Sequence, residues 1–573
     1  MTDTRIEEMT GKLVELLRQR RTPGGMWRGE LSSSAVSTSV SVFALYMNDR
    51  EKYASYIRQG VLWLKKTMRT DGSWGDTVES PPNMTATLLA YASLCAVDNA
   101  PEETKTCLTA KFGGITDSHI INGVLACYGR DLTFSAPILV MCALAGIIKS
   151  WDSIPRLPFE ISVLPQKLFR FFRLPVVSYA IPALIAVGIL RHKKGKKTLL
   201  SPLRETFIGK SLETLVRLQP VHGGFLEAAP LTAFVAMCMS GAGYRDHTAT
   251  RKGVDFLTDT VREDGAWPID TDLACWVTAL SVRALEGDLD SGEKLSLAGI
   301  IKGSAFAFRH PFTGAMEGGW GWTDLAGSAP DADDTAGALV ALHILSDGRY
   351  CREARKGVEW LLSLQNSDGG MPTFCRGWGK LPFDRSSPDI SAHAMLAFEL
   401  WHGSLPADLK NRCARSAGRL LKWMDRAQAS DGSWTPLWFG DQNAADGRSP
   451  VYGTAMAVEY LSAMKHPQAG EMREKGLKYI LSVQNGDGGW GGARDVPSKV
   501  TLTARALAAI ASCRHTATDA AERAFDYLYR KYAAGELLQP EPVGLYFARL
   551  WYSEELYNIT FVLNALKKLR TDK

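Results

Sequence analysis

Lys475-Gly-Leu-Lys-Tyr-Ile-Leu-Ser-Val-Gln484-Asn-Gly-Asp-Gly-Gly-Trp490-Gly is one unit of a recurring motif: an apolar helix turn, a glutamine, a polar turn with Asp-Gly, then an aromatic. It returns as Lys356-Gly-Val-Glu-Trp-Leu-Leu-Ser-Leu-Gln365, followed by Asp368-Gly-Gly-Met371. Weaker copies run from Gly60 to Trp74, from Lys210 through Gln219 to Phe225, from Lys252 to Trp267, and from Leu420 through Gln428 to Trp434. Gly319-Trp320 and Gly25-Met-Trp27 are stripped versions. In the second half the aromatic ends fall at Trp267, Trp320, Trp434 and Trp490, with Met371 between. That period holds two helices per unit.

Small-residue amphipathic stretches follow the units, at 335–345, 392–400, 454–464 and 501–512. Helix, Asp-Gly turn and helix, repeated around a ring, predict an all-α fold of two α/α toroids, and no period-2 strands compete. A glutamine amide can bond orphan groups at neighbouring helix ends while the aromatic covers the turn. The repeats are therefore scaffold and carry no catalytic role. We expect an N-terminal helix within 1–20 packing on the second ring, a first ring over roughly 20–265 and a second over 266–573.

The 573 residues suffice for two large cores. A balance of 66 basic and 61 acidic residues is too mild to argue for nucleic acid. Trp is the over-represented ring, at 16 residues. The ten cysteines are scattered without a C-x-x-C, as in reduced, mostly buried thiols of a cytoplasmic protein. The first ten residues lack the apolar core of a secretory signal, so the cytoplasmic face of a membrane is the expected location.

Asp331-Ala-Asp333-Asp334 follows Pro330 and precedes a helix-like run. One reading is local: Asp331 as N-cap, Asp334 as its capping-box partner, and acids favoured in a first turn. The other is chemical: crowded carboxylates raise one another's pKa until one stays protonated and becomes a donor. The aromatic surroundings suggest a carbon–carbon double bond as acceptor.

An apolar run over 174–190 is followed by Arg191-His-Lys-Lys-Gly-Lys-Lys197. It is short for a spanning helix and contains two prolines. A buried core helix with a solvated basic loop is one explanation. One-sided insertion against anionic lipid is the one we expect, and it implies a lipid substrate drawn from the bilayer.

With the repeats on both sides, Gly318-Gly-Trp-Gly-Trp322 leading into Pro330-Asp-Ala-Asp-Asp-Thr-Ala336 resembles the squalene–hopene cyclase family of class II terpene cyclases. Ser387-Pro-Asp-Ile-Ser-Ala-His393 and Tyr452-Gly-Thr454 extend the match over nearly the whole chain. The repeats correspond to that family's QW motifs. The resemblance implies that Asp333 protonates the terminal isoprene unit. His393, four residues after Asp389, matches the histidine that hydrogen-bonds the acid. Residues four apart share a helical face, so Asp389 can orient or charge His393. Asp331 and Asp334 would share the network. The resemblance also favours a dimer and implies no metal, nucleotide or redox cofactor.

An ordinary carboxylic acid is too weak to protonate an alkene in water, so the donor needs a dry pocket and a stabilised conjugate base. The cation then needs aromatic faces, at about 2 kcal/mol each when desolvated. Candidates are Trp322, Tyr452, Trp320, Trp151, Trp276, Tyr546, Phe547 and Tyr552, each of which core packing would also explain. Three departures bear on the product. Arg549 interrupts a tyrosine run spaced by three. The stretch between Trp438 and Tyr452 is long for the family. Glu227, in His222-Gly-Gly-Phe-Leu-Glu227, puts an acid where members carry an amide.

Rival readings each need a feature of their own. A zinc prenyltransferase needs a D-x-C, and ionisation of a prenyl diphosphate needs a D-D-x-x-D; the chain has neither. Cyclisation that leaves a diphosphate intact stays open, and a non-catalytic lipid-binding toroid predicts a broken acid set. The expectation is proton-initiated polycyclisation of a linear polyprene, with squalene as the foremost substrate, in a membrane-associated enzyme.

Overall fold

The computed structural model describes residues 3–129, 132–165, 168, 181–311, 313–374, 385–513, 519–545 and 548–570. The repeat unit builds the same joint each time. In four copies the glutamine amide donates twice: to the glycine carbonyl four residues on and to a carbonyl of the next outer helix. For Gln484 these are Gly488 O at 2.8 Å and Ala520 O at 2.9 Å. Gln219, Gln365 and Gln428 repeat the pattern. The Asp-Gly turn is fixed by Asp487 Oδ1, which accepts from Gly489 N at 2.9 Å, and by Gly488, whose φ of +90° suits glycine.

The indole closes the joint. Trp490 Nε1 donates to Ile480 O at 2.8 Å, and Trp490 N donates to Thr503 Oγ1 at 3.0 Å on the following inner helix. Trp27, Trp74, Trp267, Trp320 and Trp434 make the same pair of bonds, to a helix-end carbonyl and to a threonine.

The joints string the helices into two rings. In the second, the inner helices Ala274–Ala284, Ala332–Leu345, Pro388–Trp401, Pro450–Leu461, Val500–Ser512 and Tyr557–Arg570 each pack on the next, and the last closes on the first. They are buried nearly all round, so small residues and apolar content on every face replace the usual stripe. Outer helices such as Arg352–Leu364 and Ala407–Ala427 are amphipathic. The N-terminal helix Asp3–Gln19 packs on Tyr557–Arg570 as part of the outer layer.

The first ring has inner helices Ala35–Asp49, Met84–Val97, Leu132–Leu144, Ile181–Lys194 and Ala229–Gly241. Its core runs from Ala35 to Trp267, whereas Trp27 and Leu31 belong to the second core. The first ring therefore begins after residue 31, not near 20, because the segment behind the N-terminal helix stays with the ring that this helix covers.

Of the apolar insertion expected over 174–197, the part from Ile181 to Leu190 is a core helix instead. Residues 171–180 lie outside the described residues, but Ile181 to Leu190 form an inner helix whose Ile185, Val187, Ile189 and Leu190 are fully buried in the first core. An apolar run bounded by basic residues serves a two-sided core helix equally well. Among the described residues no helix is long and apolar enough to cross a membrane. A second difference is a small antiparallel sheet, Phe439–Gly440, Val543–Leu545 and Leu550–Tyr552, that ties the long loop before Tyr452 to the C-terminal hairpin.

Candidate active site

Asp331 is the N-cap of helix Ala332–Leu345, its Oδ1 accepting from Asp333 N and Asp334 N at 2.9 Å each. The local and the chemical readings therefore both apply to it. Asp334 is not a capping-box partner. Its carboxyl lies against that of Asp331, with Oδ1 buried and unpartnered. Burial pushes Asp331 up to about 7 despite its bonds to Asp334, and burial with the charge of Asp331 pushes Asp334 well up. The pair keeps a proton at neutral pH.

Asp333 is the carboxyl of the three that stays reachable, its side chain 17% exposed. Its Oδ1 lies 2.6 Å from His393 Nδ1 on helix Pro388–Trp401. Asp389 does not orient that imidazole, although it sits one turn before it. Its carboxylate accepts from Ser387 Oγ at the start of the helix, and burial together with the charge of Asp333 pushes it up to about 7. The Ser387 hydroxyl, two residues away, has taken the carboxyl in place of the i,i+4 partner. His393 is held by rings instead: Tyr460 stacks on it at 4.6 Å and 16°, and Trp276 meets it edge-on at 6.3 Å.

The aromatic candidates separate. Trp276 and Tyr452 join the acid: Tyr452 is buried, and Asp333 and Asp389 contribute to the electrostatics of its hydroxyl. Phe439, 4.8 Å from Tyr452, extends that wall. Trp322 meets Phe374, which meets Trp438, each edge to face. Tyr552 is buried with its hydroxyl 3.4 Å from that of Tyr557, and it feels the charges of Asp270 and Asp334. Trp320 is a joint residue, its ring spent on the repeat and its Nε1 on Ile301 O at 2.6 Å, so it is scaffold. Trp151 packs against the first core, apart from the acid cluster, because its short 3-10 helix lies beside Arg191 and Asp152. Tyr546 and Phe547 lie outside the described residues.

Glu227 stands at the seam between the rings. Its carboxylate is buried and accepts from Gly327 N at 2.7 Å and from Thr271 Oγ1 at 3.0 Å, with His222 Nε2 at 2.6 Å. Leu226 and Glu227 both have positive φ, a strained backbone for non-glycine residues. Asp270 beside it accepts from Trp322 Nε1 at 3.2 Å, and burial plus the charge of Glu227 pushes it well up. The seam also holds Asp76, which accepts from Trp551 N at 3.0 Å, and Glu554; burial pushes each up to about 8.

Sequence reasoning missed Tyr460, Phe439, Asp270 and Asp76. Tyr460 lies two turns past Tyr452 on one helix, where a buried aromatic reads equally as core packing. Asp270 and Asp76 carry no local signal, because their enclosure comes from the opposite ring. Among the described residues no cluster of His, Cys, Asp and Glu is arranged to hold a metal ion.

Residues 300–571 match the squalene-hopene cyclase C-terminal domain family. A probable squalene–hopene cyclase from Sinorhizobium fredii is 22% identical over 620 aligned positions, covering 91% of this chain and 90% of that protein. Enfumafungin synthase from Hormonema carpetanum is 24% identical over 559 positions and 82% of this chain, which spans only 41% of that longer protein. Among solved structures, ent-copalyl diphosphate synthase from Streptomyces platensis shares the fold with a TM-score of 0.60 at 19% identity, covering 99% of both chains.

Proposed function

The chain belongs to the squalene–hopene cyclase family of class II terpene cyclases, and we propose that it converts a linear polyprene, foremost squalene, into a polycyclic triterpene. The carrying observation is the 2.6 Å contact between Asp333 and His393, set beside two carboxyls that retain a proton and inside a wall of rings. The proton passes from Asp333 to the terminal alkene carbon, and His393 supports the carboxylate left behind. The cation advances as rings close, facing Trp276, Tyr452 and Phe439, which stabilise positive charge without attacking it. The reaction ends when a proton leaves the last cation or water captures it.

A neutral substrate fits the seam better than a prenyl diphosphate. Glu227, Asp270, Asp272, Asp76 and Glu554 place five carboxyl groups in this region, and among the described residues the cations paired with them are Arg28, held by Asp272 and Asp324, and His222, held by Glu227. A diphosphate brought there would find Arg28 and His222 already engaged by carboxylates, and the neutral Asp76, Asp270 and Glu554 give it no positive charge. Purified protein incubated separately with squalene, farnesyl diphosphate and geranylgeranyl diphosphate, with products read by mass spectrometry, tests this. Cyclised squalene is expected, and turnover of the diphosphates alone would reverse the assignment.

We further infer delivery of the substrate from a bilayer at the cytoplasmic face. Support comes from Leu199, Leu200 and Leu203, all exposed, next to the exposed Lys194, Lys196 and Lys197. Apolar side chains flanked by lysines suit an anionic lipid surface. Replacing the three leucines by serine should reduce sedimentation with anionic liposomes several-fold; unchanged sedimentation would contradict this.

A further inference from the structure

Behind the His393–Tyr460 stack, the core of the second ring contains a group of charges that the reaction as described does not use. Glu459, fully buried, lies two turns past Tyr452 and next to Tyr460. Its Oε1 takes Arg283 Nη2 at 2.9 Å and Asn564 Nδ2 at 3.0 Å, with Lys568 Nζ at 3.6 Å. Arg505 Nη1 stands 3.7 Å from Oε2. These residues come from four of the six inner helices. Three cations thus face Glu459, and Glu286 at the surface also acts on Arg283 and Lys568; positive charge still exceeds negative, at a large desolvation cost for Arg283 and Arg505. Arg505 is 2% exposed, and its Nε and Nη2 have no hydrogen-bond partner.

The surplus is directed at the donor by aromatic rings. Arg283 lies over Tyr460 at 4.9 Å, and Tyr460 stacks on His393. Arg505 lies over Phe561 at 3.7 Å and over Tyr452 at 5.8 Å. Tyr460 feels Arg283, Arg505, Glu459 and Asp333 together.

We propose that Arg283 and Arg505 are positioning residues for the proton donor: their surplus charge, acting across Tyr460 and Tyr452, stabilises the carboxylate left on Asp333 when its O–H bond breaks and a C–H bond forms on the alkene. This rests on Asp333 being the donor. Removing one cation from behind the stack is expected to change the rate on the order of tenfold.

The test uses full-length protein with 15N-labelled histidine and follows the His393 ring through a pH titration without substrate. The groups facing that ring are Asp333, Asp331 and Asp334 on the acid helix, Asp389 on its own helix, Tyr452, Glu459 and Tyr460, and Arg283 and Arg505 behind. Arg283→Met and Arg505→Met should each move the titration upward by roughly half to one pH unit, since a repelling cation is gone. Glu459→Gln should move it downward, an opposite sign that loss of packing does not produce. In turnover with squalene, Arg283→Met should lower kcat about tenfold with KM unchanged, and Arg283→Lys should stay within about threefold of wild type. A His393 titration unmoved in Arg505→Met, or moved upward in Glu459→Gln, overturns the proposal. If the shifts occur but wild type cyclises no polyprene, the coupling stands and the cyclase reading falls. Should Arg283→Met fail to fold, Arg505→Met and Glu459→Gln still decide.

Discussion

Asp389 shows how one side chain can be placed well by sequence and still do something else. Its spacing from His393 is that of a helical pair, yet Ser387 at the helix start takes its carboxylate, and enclosure pushes it up to about 7. The sign of its effect on stability follows. Below about pH 4 the group is neutral in both folded and unfolded chains. As pH rises toward 7 the unfolded chain releases the proton first, so the folded state is penalised progressively. Asp389→Asn should therefore gain thermal stability relative to wild type by a few degrees between pH 4 and pH 7, measured by calorimetry. A constant difference across that range would contradict the burial of a neutral acid. The acid motif and His393 were legible because a motif and a resemblance both pointed to them. Tyr460 was not singled out, since an aromatic in a buried helix looks the same whether it fills space or backs an imidazole.

At the scale of the element, the repeat was legible nearly in full. Its glutamine and aromatic were understood from the orphan groups that helix ends leave behind, and four glutamines make the same two bonds. Gln484→Ala leaves Gly488 O and Ala520 O without this donor and should cost about 1–3 kcal/mol in unfolding free energy. It should leave kcat within twofold, because the joint lies on the rim of the ring, and a large loss of kcat at full stability would argue against a scaffold role. What escaped notice was the threonine one turn into the inner helices that receives the indole-bearing residue's N–H, since a threonine inside a helix gives no local sign of a partner across the joint. The helix Ile181–Lys194 was misread for a related reason: hydropathy alone does not separate a core helix covered on both sides from a segment that lies on lipid.

For the molecule as a whole, the seam between the rings was the least legible part. Asp76 with Trp551, and Glu227 with Gly327, join residues 475 and 100 positions apart, so no local pattern announces them. Gly327 is required there by close approach: a Cβ would meet Glu227 Oε1 at 2.4 Å and Gly224 O at 2.7 Å. Gly327→Ala should destabilise the protein by about 1–3 kcal/mol and lower turnover with it, as unfolding and product assays would show. Wild-type stability would mean that the seam is loose.

The most direct measurement compares wild type with Asp333→Asn on squalene, with products separated and identified by mass spectrometry and folding checked by circular dichroism. The account predicts polycyclic triterpene from wild type and at least a thousandfold less from the variant, with unchanged helicity. Cyclised product formed by Asp333→Asn at the wild-type rate would contradict it.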